Sequence, residues 1–203
     1  MQVEQCPQCG APAAPNESAC GYCKAIFFVT SLAYLGGHNA DGIAKYLKHY
    51  KALTNSDPNN VEGLVGLGLC YLQLSNFPLA NKAFTATIEL SPDIASSYYY
   101  LSLSQIAGRT LKTLNLKEVR GIEVNINTAL GLEENPLYIL LHAMLKRDFY
   151  EANGMIVKSP SASEMLSKIN NVEINKNEIE RLSSSLVVRN PSYFFENIRI
   201  NET

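Results

Sequence analysis

The stretch DPNNVEGLVGLGLCYLQLSNFPLANKAFTATIELSP, residues 57–92, decides the fold. Its apolar residues recur at helical spacing on both sides of Ser75-Asn76, which predicts two helices, 58–74 and 77–90, joined by a link too short for anything but an antiparallel return. Asp57-Pro58 opens the stretch and Ser91-Pro92 closes it. Each reads as a capping side chain before a proline at the first helical position, where the missing N–H costs nothing. Gly68 and Ala80 are small enough for the two helices to approach closely, and Leu67, Tyr71 and Phe84 fill the space between them.

The same punctuation continues outward. Asn135-Pro136 repeats the cap-proline pair, Asn115 and Glu118 have the reciprocal capping spacing, and Gly108 and Gly131 sit where left-handed terminating residues belong. Further helices are expected at 40–54, 92–107, 116–130, 136–146 and 148–157. The prolines at 58 and 92 stand 34 residues apart, a period that belongs to helical repeat arrays.

On Leu67-Gly68, Tyr71, Ala80, Phe84 and Pro92, residues 61–94 resemble a tetratricopeptide repeat, with Leu64 where that family often has tryptophan and Thr87 where it has alanine. The following unit keeps Tyr98, Leu101, Ala129 and Pro136 but has Ser102 in place of the glycine and an insertion over 109–114. Tyr138, Leu141, Phe149 and Ala152 suggest a degraded third pair, so the resemblance spans about 40–157. It implies a mostly α fold, a helical solenoid whose concave face is lined by Glu62, Val65, Leu69, Leu72 and Gln73, then by Ser96, Tyr99, Leu103 and Ile106. Such a groove is apolar and aromatic. The lysine and asparagine that clamp a terminal carboxylate in some members are absent from the two better repeats, with Lys146 and Arg147 the nearest cations. The implied ligand is an amphipathic helix, from a partner protein or from the chain's own end.

Upstream, Cys6-Pro7-Gln8-Cys9 and Cys20-Gly21-Tyr22-Cys23 form two C-x2-C knuckles separated by ten residues, the spacing of a single tetrahedral zinc site. Four thiolates leave no open position for water or substrate, so the expected Zn2+ is structural. The apolar residues 25–30 suit a β-strand closing this small zinc ribbon. No apolar leader precedes the cysteines and the rest of the chain is poor in them, which disfavours disulfides and favours a cytoplasmic setting. Cys70, inside an apolar helix, reads as a small core residue.

Composition narrows the function classes. With 203 residues, 46% of them hydrophobic, the chain can bury one main core plus a small module. The longest apolar run, 25–37, is too short for a bilayer, so no membrane partner is expected. A net charge of -2, with Glu4 and Glu17 against Lys24 in the first 29 residues, disfavours nucleic acid. His38, His49 and His142 have no catalytic motif beside them, Gly36-Gly37 marks a linker, and Asp41 and Glu133-Glu134 read as capping or solvated charges. No enzymatic activity is expected.

Beyond Ser159-Pro160-Ser161, Met165, Leu166 and Ile169 and then Ile179, Leu182 and Leu186 recur at helical spacing. Residues 163–186 are therefore expected to form one or two helices that cover the last repeat or enter the groove. Tyr193-Phe194-Phe195, Ile198 and Ile200 read equally as a strand or anchor onto the body or a second protomer, or as a partly disordered tail carrying incidental aromatics. The expected organisation is a zinc ribbon (1–30), a linker (31–39), helical repeats (40–157) and a C-terminal segment (158–203). The expected function is a non-catalytic adaptor or scaffold for a protein partner. A zinc-ribbon protein associated with nucleic acid or transcription, and an accessory subunit of an enzyme complex, are the alternatives.

Overall fold

The computed structural model describes residues 5–14, 17–196 and 198–201; Glu4 lies outside them. The protein is mostly helical and divides into two compact units, Met1–Ser91 and Pro92–Thr203.

In the first unit the two cysteine knuckles lead into α1 (Leu32–Gly36), α2 (Ala40–Ser56), α3 (Val61–Gln73) and α4 (Phe77–Leu90). The last three pack in succession, α2 on α3 and α3 on α4, with α1 also against α3. Asn39, Asn60 and Asn76 start the three longer helices, each side chain accepting a backbone N–H from Gly42, Gly63 or Leu79. This satisfies a donor that the helix itself leaves orphaned.

Two starts differ from expectation. The helix predicted from Pro58 begins at Val61, because Asp57-Pro58-Asn59-Asn60 closes a turn of its own. Asn59 N–H donates to Asp57 Oδ1 at 3.1 Å and Asn60 N–H to Asp57 O at 3.0 Å. Asn60 takes over the capping role. Likewise the helix predicted from Pro92 begins at Ala95, after Ile94, which offers no side-chain cap. The stretch 31–39, read as a linker, holds α1, capped by the Ser31 hydroxyl.

The α3–α4 contact is as close as its small residues allow. A Cβ placed on Gly68 would fall 2.6 Å from the Phe84 ring, and Phe84 is fully buried with nowhere to retreat. Burying that ring contributes about 2–3 kcal/mol. Gly68→Ala is therefore expected to destabilise the first unit by about 1–2 kcal/mol: overpacking costs about 1–3 kcal/mol and improved helix propensity returns somewhat under 1. Gly121→Ala, on a helix where a new Cβ meets nothing within 4 Å, is the control and should stabilise slightly. Denaturation midpoints of the two variants check both signs.

The second unit contains α5 (Ala95–Ile106), α6 (Leu116–Leu132), α7 (Pro136–Leu145), α8 (Ala162–Ile169), β1 (Glu173–Asn175), α9 (Lys176–Ser185), α10 (Pro191–Phe195) and β2 (Arg199–Asn201). α5 packs on α6, α6 on α7, and α8 and α9 both pack on α7. The Asn115–Glu118 capping box forms in both directions. Gly108 takes a left-handed φ of 69°, following Ala107 at 54°. Gly131 does not terminate anything: α6 runs on to Leu132 and Glu133 caps it in an extended conformation.

A helix was expected over 148–157. Instead α7 passes into a single π turn, Lys146–Tyr150, then a 3-10 turn, Glu151–Asn153, ended by Gly154 at φ 68°. Residues 163–186 form two helices, α8 and α9, as their periodicity suggests, with the break at 170–175. The end of the C-terminal segment is anchored to the body: Phe194 and Ile198 are buried, and β2 pairs in parallel with β1, Ile174 opposite Ile200. No helix among the described residues is long and apolar enough to cross a membrane.

Candidate metal centre

The two knuckles are built alike. In the first, Cys6 N–H donates to Ala11 O at 2.8 Å and Gly10 N–H to Cys6 O at 2.9 Å; in the second, Cys20 N–H donates to Ala25 O at 2.8 Å and Lys24 N–H to Cys20 O at 3.0 Å. Each chain segment thus folds back one residue after its second cysteine, through a left-handed residue: Gly10 at φ 74° and Lys24 at φ 62°. Glycine meets this demand freely, whereas a side chain there is strained by about 1 kcal/mol or more. Lys24→Gly is expected to tighten metal binding by about fivefold, since the relieved strain, about 1 kcal/mol, belongs to the metal-bound fold. Competition with a chromophoric chelator reads this directly, and equal affinities would contradict it.

The turns bring the four sulfurs of Cys6, Cys9, Cys20 and Cys23 within 4.8 Å of one another. Cys6 and Cys23 stand 3.5 Å apart and Cys9 and Cys20 3.6 Å, far beyond the ~2.05 Å of a disulfide. An ion with metal–sulfur bonds of about 2.3 Å spaces its four tetrahedral ligands about 3.8 Å apart. The cluster fits that figure, and the Gln8 N–H also donates to Cys6 Sγ at 3.4 Å. Cys6 and Cys20 are buried while Cys9 and Cys23 face outward.

The thiols are electrostatically unequal. Backbone N–H groups of Cys23 and Tyr22, with bonds from the Cys9 and Cys6 thiols, outweigh burial and bring Cys20 down to about 7. The Ala25 N–H draws Cys23 the same way, but burial and the bonds with the Cys9, Cys6 and Cys20 thiols prevail and push it up to about 12. Four thiolates this close repel strongly unless a cation sits among them.

The segment leaving the cluster does not become the strand expected over 25–30. Its ladder contact among the described residues is a single bridge, Ala19 with Ile26. Three tyrosine hydroxyls satisfy its backbone instead. Ile26 N–H donates to Tyr34 Oη at 3.0 Å, Tyr46 Oη donates to Ile26 O at 2.7 Å, Val29 N–H donates to Tyr50 Oη at 2.8 Å, and Tyr50 Oη donates to Phe27 O at 3.1 Å. Tyr34 and Tyr46 also bond each other at 2.9 Å. Gln8, between the first two cysteines, donates through Nε2 to Gly42 O at 2.8 Å, at the start of α2. The sulfur cluster is therefore fastened to the helices of its own unit and not carried as a free finger.

The residues assigned to the groove are distributed differently from an open surface. Leu69, Leu72, Tyr99, Leu103 and Ile106 are buried, Val65, Gln73 and Ser96 are half-buried, and Glu62 is exposed. Tyr99 lies against Tyr138, with ring centroids 5.0 Å apart, and Glu178 of α9 is close enough to act on both hydroxyls. Cys70 is fully buried and its thiol is pushed up to about 12 by that burial, consistent with a packing role. His38 meets the Tyr34 ring at a tilt and the Tyr46 ring edge-on, and burial lowers the pKa of His49. Asp41 pairs with Lys45 at 2.9 Å, and Glu133 accepts from Asn135 and Tyr138. Set against family models, characterised proteins and solved structures, the chain gives no significant match to any of the three.

Proposed function

We propose that the protein is a non-catalytic adaptor in which a structural Zn2+ at Cys6, Cys9, Cys20 and Cys23 stabilises an N-terminal ribbon, and in which helical hairpins related to tetratricopeptide repeats present surfaces to a protein partner. The observation that carries this reading is the closed four-sulfur cluster, whose ligand set leaves no coordination position for a reaction and whose donors favour zinc. The repeat identity is supported by the tight Gly68–Phe84 contact at the position that the family reserves for a small residue.

The burial of Tyr99, Leu103 and Ile106, together with the packing of α8 and α9 on α7, whose Tyr138 lies against Tyr99, favours the chain's own C-terminal segment as the cover of that face in the second unit. An external amphipathic helix would have to displace it. Native mass spectrometry of the full chain tests the metal and the subunit count together: one zinc per chain is expected. A chain ended at Lys158 tests the cover. It should bind more of an apolar fluorescent dye and self-associate; a monomeric, equally stable truncation with unchanged dye binding would contradict the proposal.

A further inference from the structure

The π turn at Lys146–Tyr150 builds a polar cluster that the adaptor reading does not use. His142, Lys146 and Tyr150 follow one another at four-residue steps and all converge on one carboxylate, Glu123 of α6. Lys146 Nζ is 3.3 Å and His142 Nε2 3.5 Å from Glu123 Oε1, while Tyr150 Oη donates to Oε2. Burial by itself raises the Glu123 carboxyl, but the neighbouring His142 ring, the Tyr150 hydroxyl and the Lys146 ammonium outweigh it and bring the group down to about 2. Glu123 is thus an ionised, fully engaged anion, and π turns of this kind recur at functional sites.

Glu123, Lys146 and Tyr150 of this cluster line a cavity of ≈370 Å³, together with Arg120, Lys158, Leu116, Met155, Ile156 and Val157. Three cations face it against one carboxylate. Lys146 is nearly buried, and Arg120 and Lys158 have no hydrogen bond or ion pair among the described residues. On the other wall Met155 and Ile156 are apolar side chains left in solvent, Ile156 at 94% exposure. Unpaired positive charge beside uncovered apolar surface calls for an occupant with both an anionic head and an apolar body.

We propose that this cavity binds a small amphipathic carboxylate, its head between Arg120, Lys146 and Lys158 and its chain along Leu116, Met155 and Ile156. The test uses the full chain labelled at methionine methyls and titrated with octanoate, with octan-1-ol as the neutral probe. Met155 lines the cavity, while the buried Met144 serves as an internal reference. The expected result is a saturable shift of the Met155 signal below about 1 mM octanoate, absent with octan-1-ol at the same concentration. In the R120Q/K158Q double variant, whose thermal melt should match the parent because both side chains lack partners, affinity should fall about tenfold or more. Equal shifts with the alcohol, affinity unchanged in the double variant, or no saturation by about 10 mM would each overturn the proposal. K146M is a poorer probe, since it strips Glu123 of a partner as well as the cavity of a charge.

Discussion

Chelating the metal, or replacing Cys20 with serine, is expected to unfold residues 5–29 while leaving the second unit folded. The size of the effect follows from how little apolar surface the two knuckles bury; the tyrosine hydroxyls hold the segment only at its exit, Ile26 to Val29, and Gln8 holds one knuckle to Gly42. The segment's buried cluster consists of Cys6, Cys20, Ala25 and Phe27, with Ala11, Ala13 and Phe28 packed at the edge. Two of the four buried residues are themselves ligands. At about 25 cal/mol per Å² such a patch stabilises by a few kcal/mol, against about 1–2 kcal/mol of backbone entropy for every residue it orders. A structural zinc in a small module supplies roughly 10–16 kcal/mol of apparent binding energy, enough to reverse that balance.

Losing one thiolate leaves three ligands and a buried hydroxyl, so Cys20→Ser should abolish stoichiometric zinc retention and expose Phe27. Cys70→Ser, a change of the same chemistry at a buried cysteine far in sequence from the knuckles, should keep its zinc while costing stability by packing alone. Metal content by mass spectrometry, together with amide exchange over 5–29, separates the two. Full zinc loading in Cys20→Ser, or an N-terminal segment protected equally with and without chelator, would remove the metal from the account.

The sequence was most informative where local chemistry suffices. The knuckles could be placed because C-x2-C spacing and a following glycine describe a turn completed within six residues, and the four sulfurs do converge. The α3–α4 hairpin could be placed because helical spacing recurs on both sides of Ser75-Asn76 and Gly68 and Ala80 permit a close approach. Prolines were less informative than asparagines. Asp57-Pro58 and Ser91-Pro92 fit the start of a helix or the turn before one equally well, and only the three-dimensional turn at Asn60 decides between them.

What stayed hidden depends on contacts distant in sequence. No local rule says that the β-forming residues Ile26–Val29 will have tyrosine hydroxyls in place of a neighbouring strand, because Tyr46 and Tyr50 lie twenty or more residues away. The groove reading has the same weakness: positions expected on an open face become interior when other side chains close over them, as Tyr138 of α7 does against Tyr99. The π turn was equally invisible. Residues 146–150 have ordinary helical propensity, and one extra residue in the turn becomes favourable through the bonds that Lys146 and Tyr150 make to Glu123.

Tyr50→Phe is expected to cost about 2–5 kcal/mol, more than a hydroxyl deletion usually does, because it orphans two buried backbone groups at once. The Tyr50 hydroxyl accepts from Val29 N–H and donates to Phe27 O, and Phe27 and Val29 are 1% and 2% exposed. Water cannot replace the lost partner at that depth, and each unsatisfied group costs about 1–3 kcal/mol. The ring itself stays in place: it stacks on Tyr46 and lies so close to α3 that a Cβ on Gly66 would fall 2.5 Å from it. Apolar packing is therefore conserved and the loss isolates the hydrogen bonds. Tyr34→Phe should cost less, since its ring is only half-buried and its Ile26 bond lies nearer to water. Amide exchange at Val29, faster by a factor set by the same free energy, locates the effect, and a denaturation midpoint gives its size. A Tyr50→Phe protein within about 0.5 kcal/mol of the parent would mean that the ribbon is held to the helices by its apolar contacts and not by this bracket.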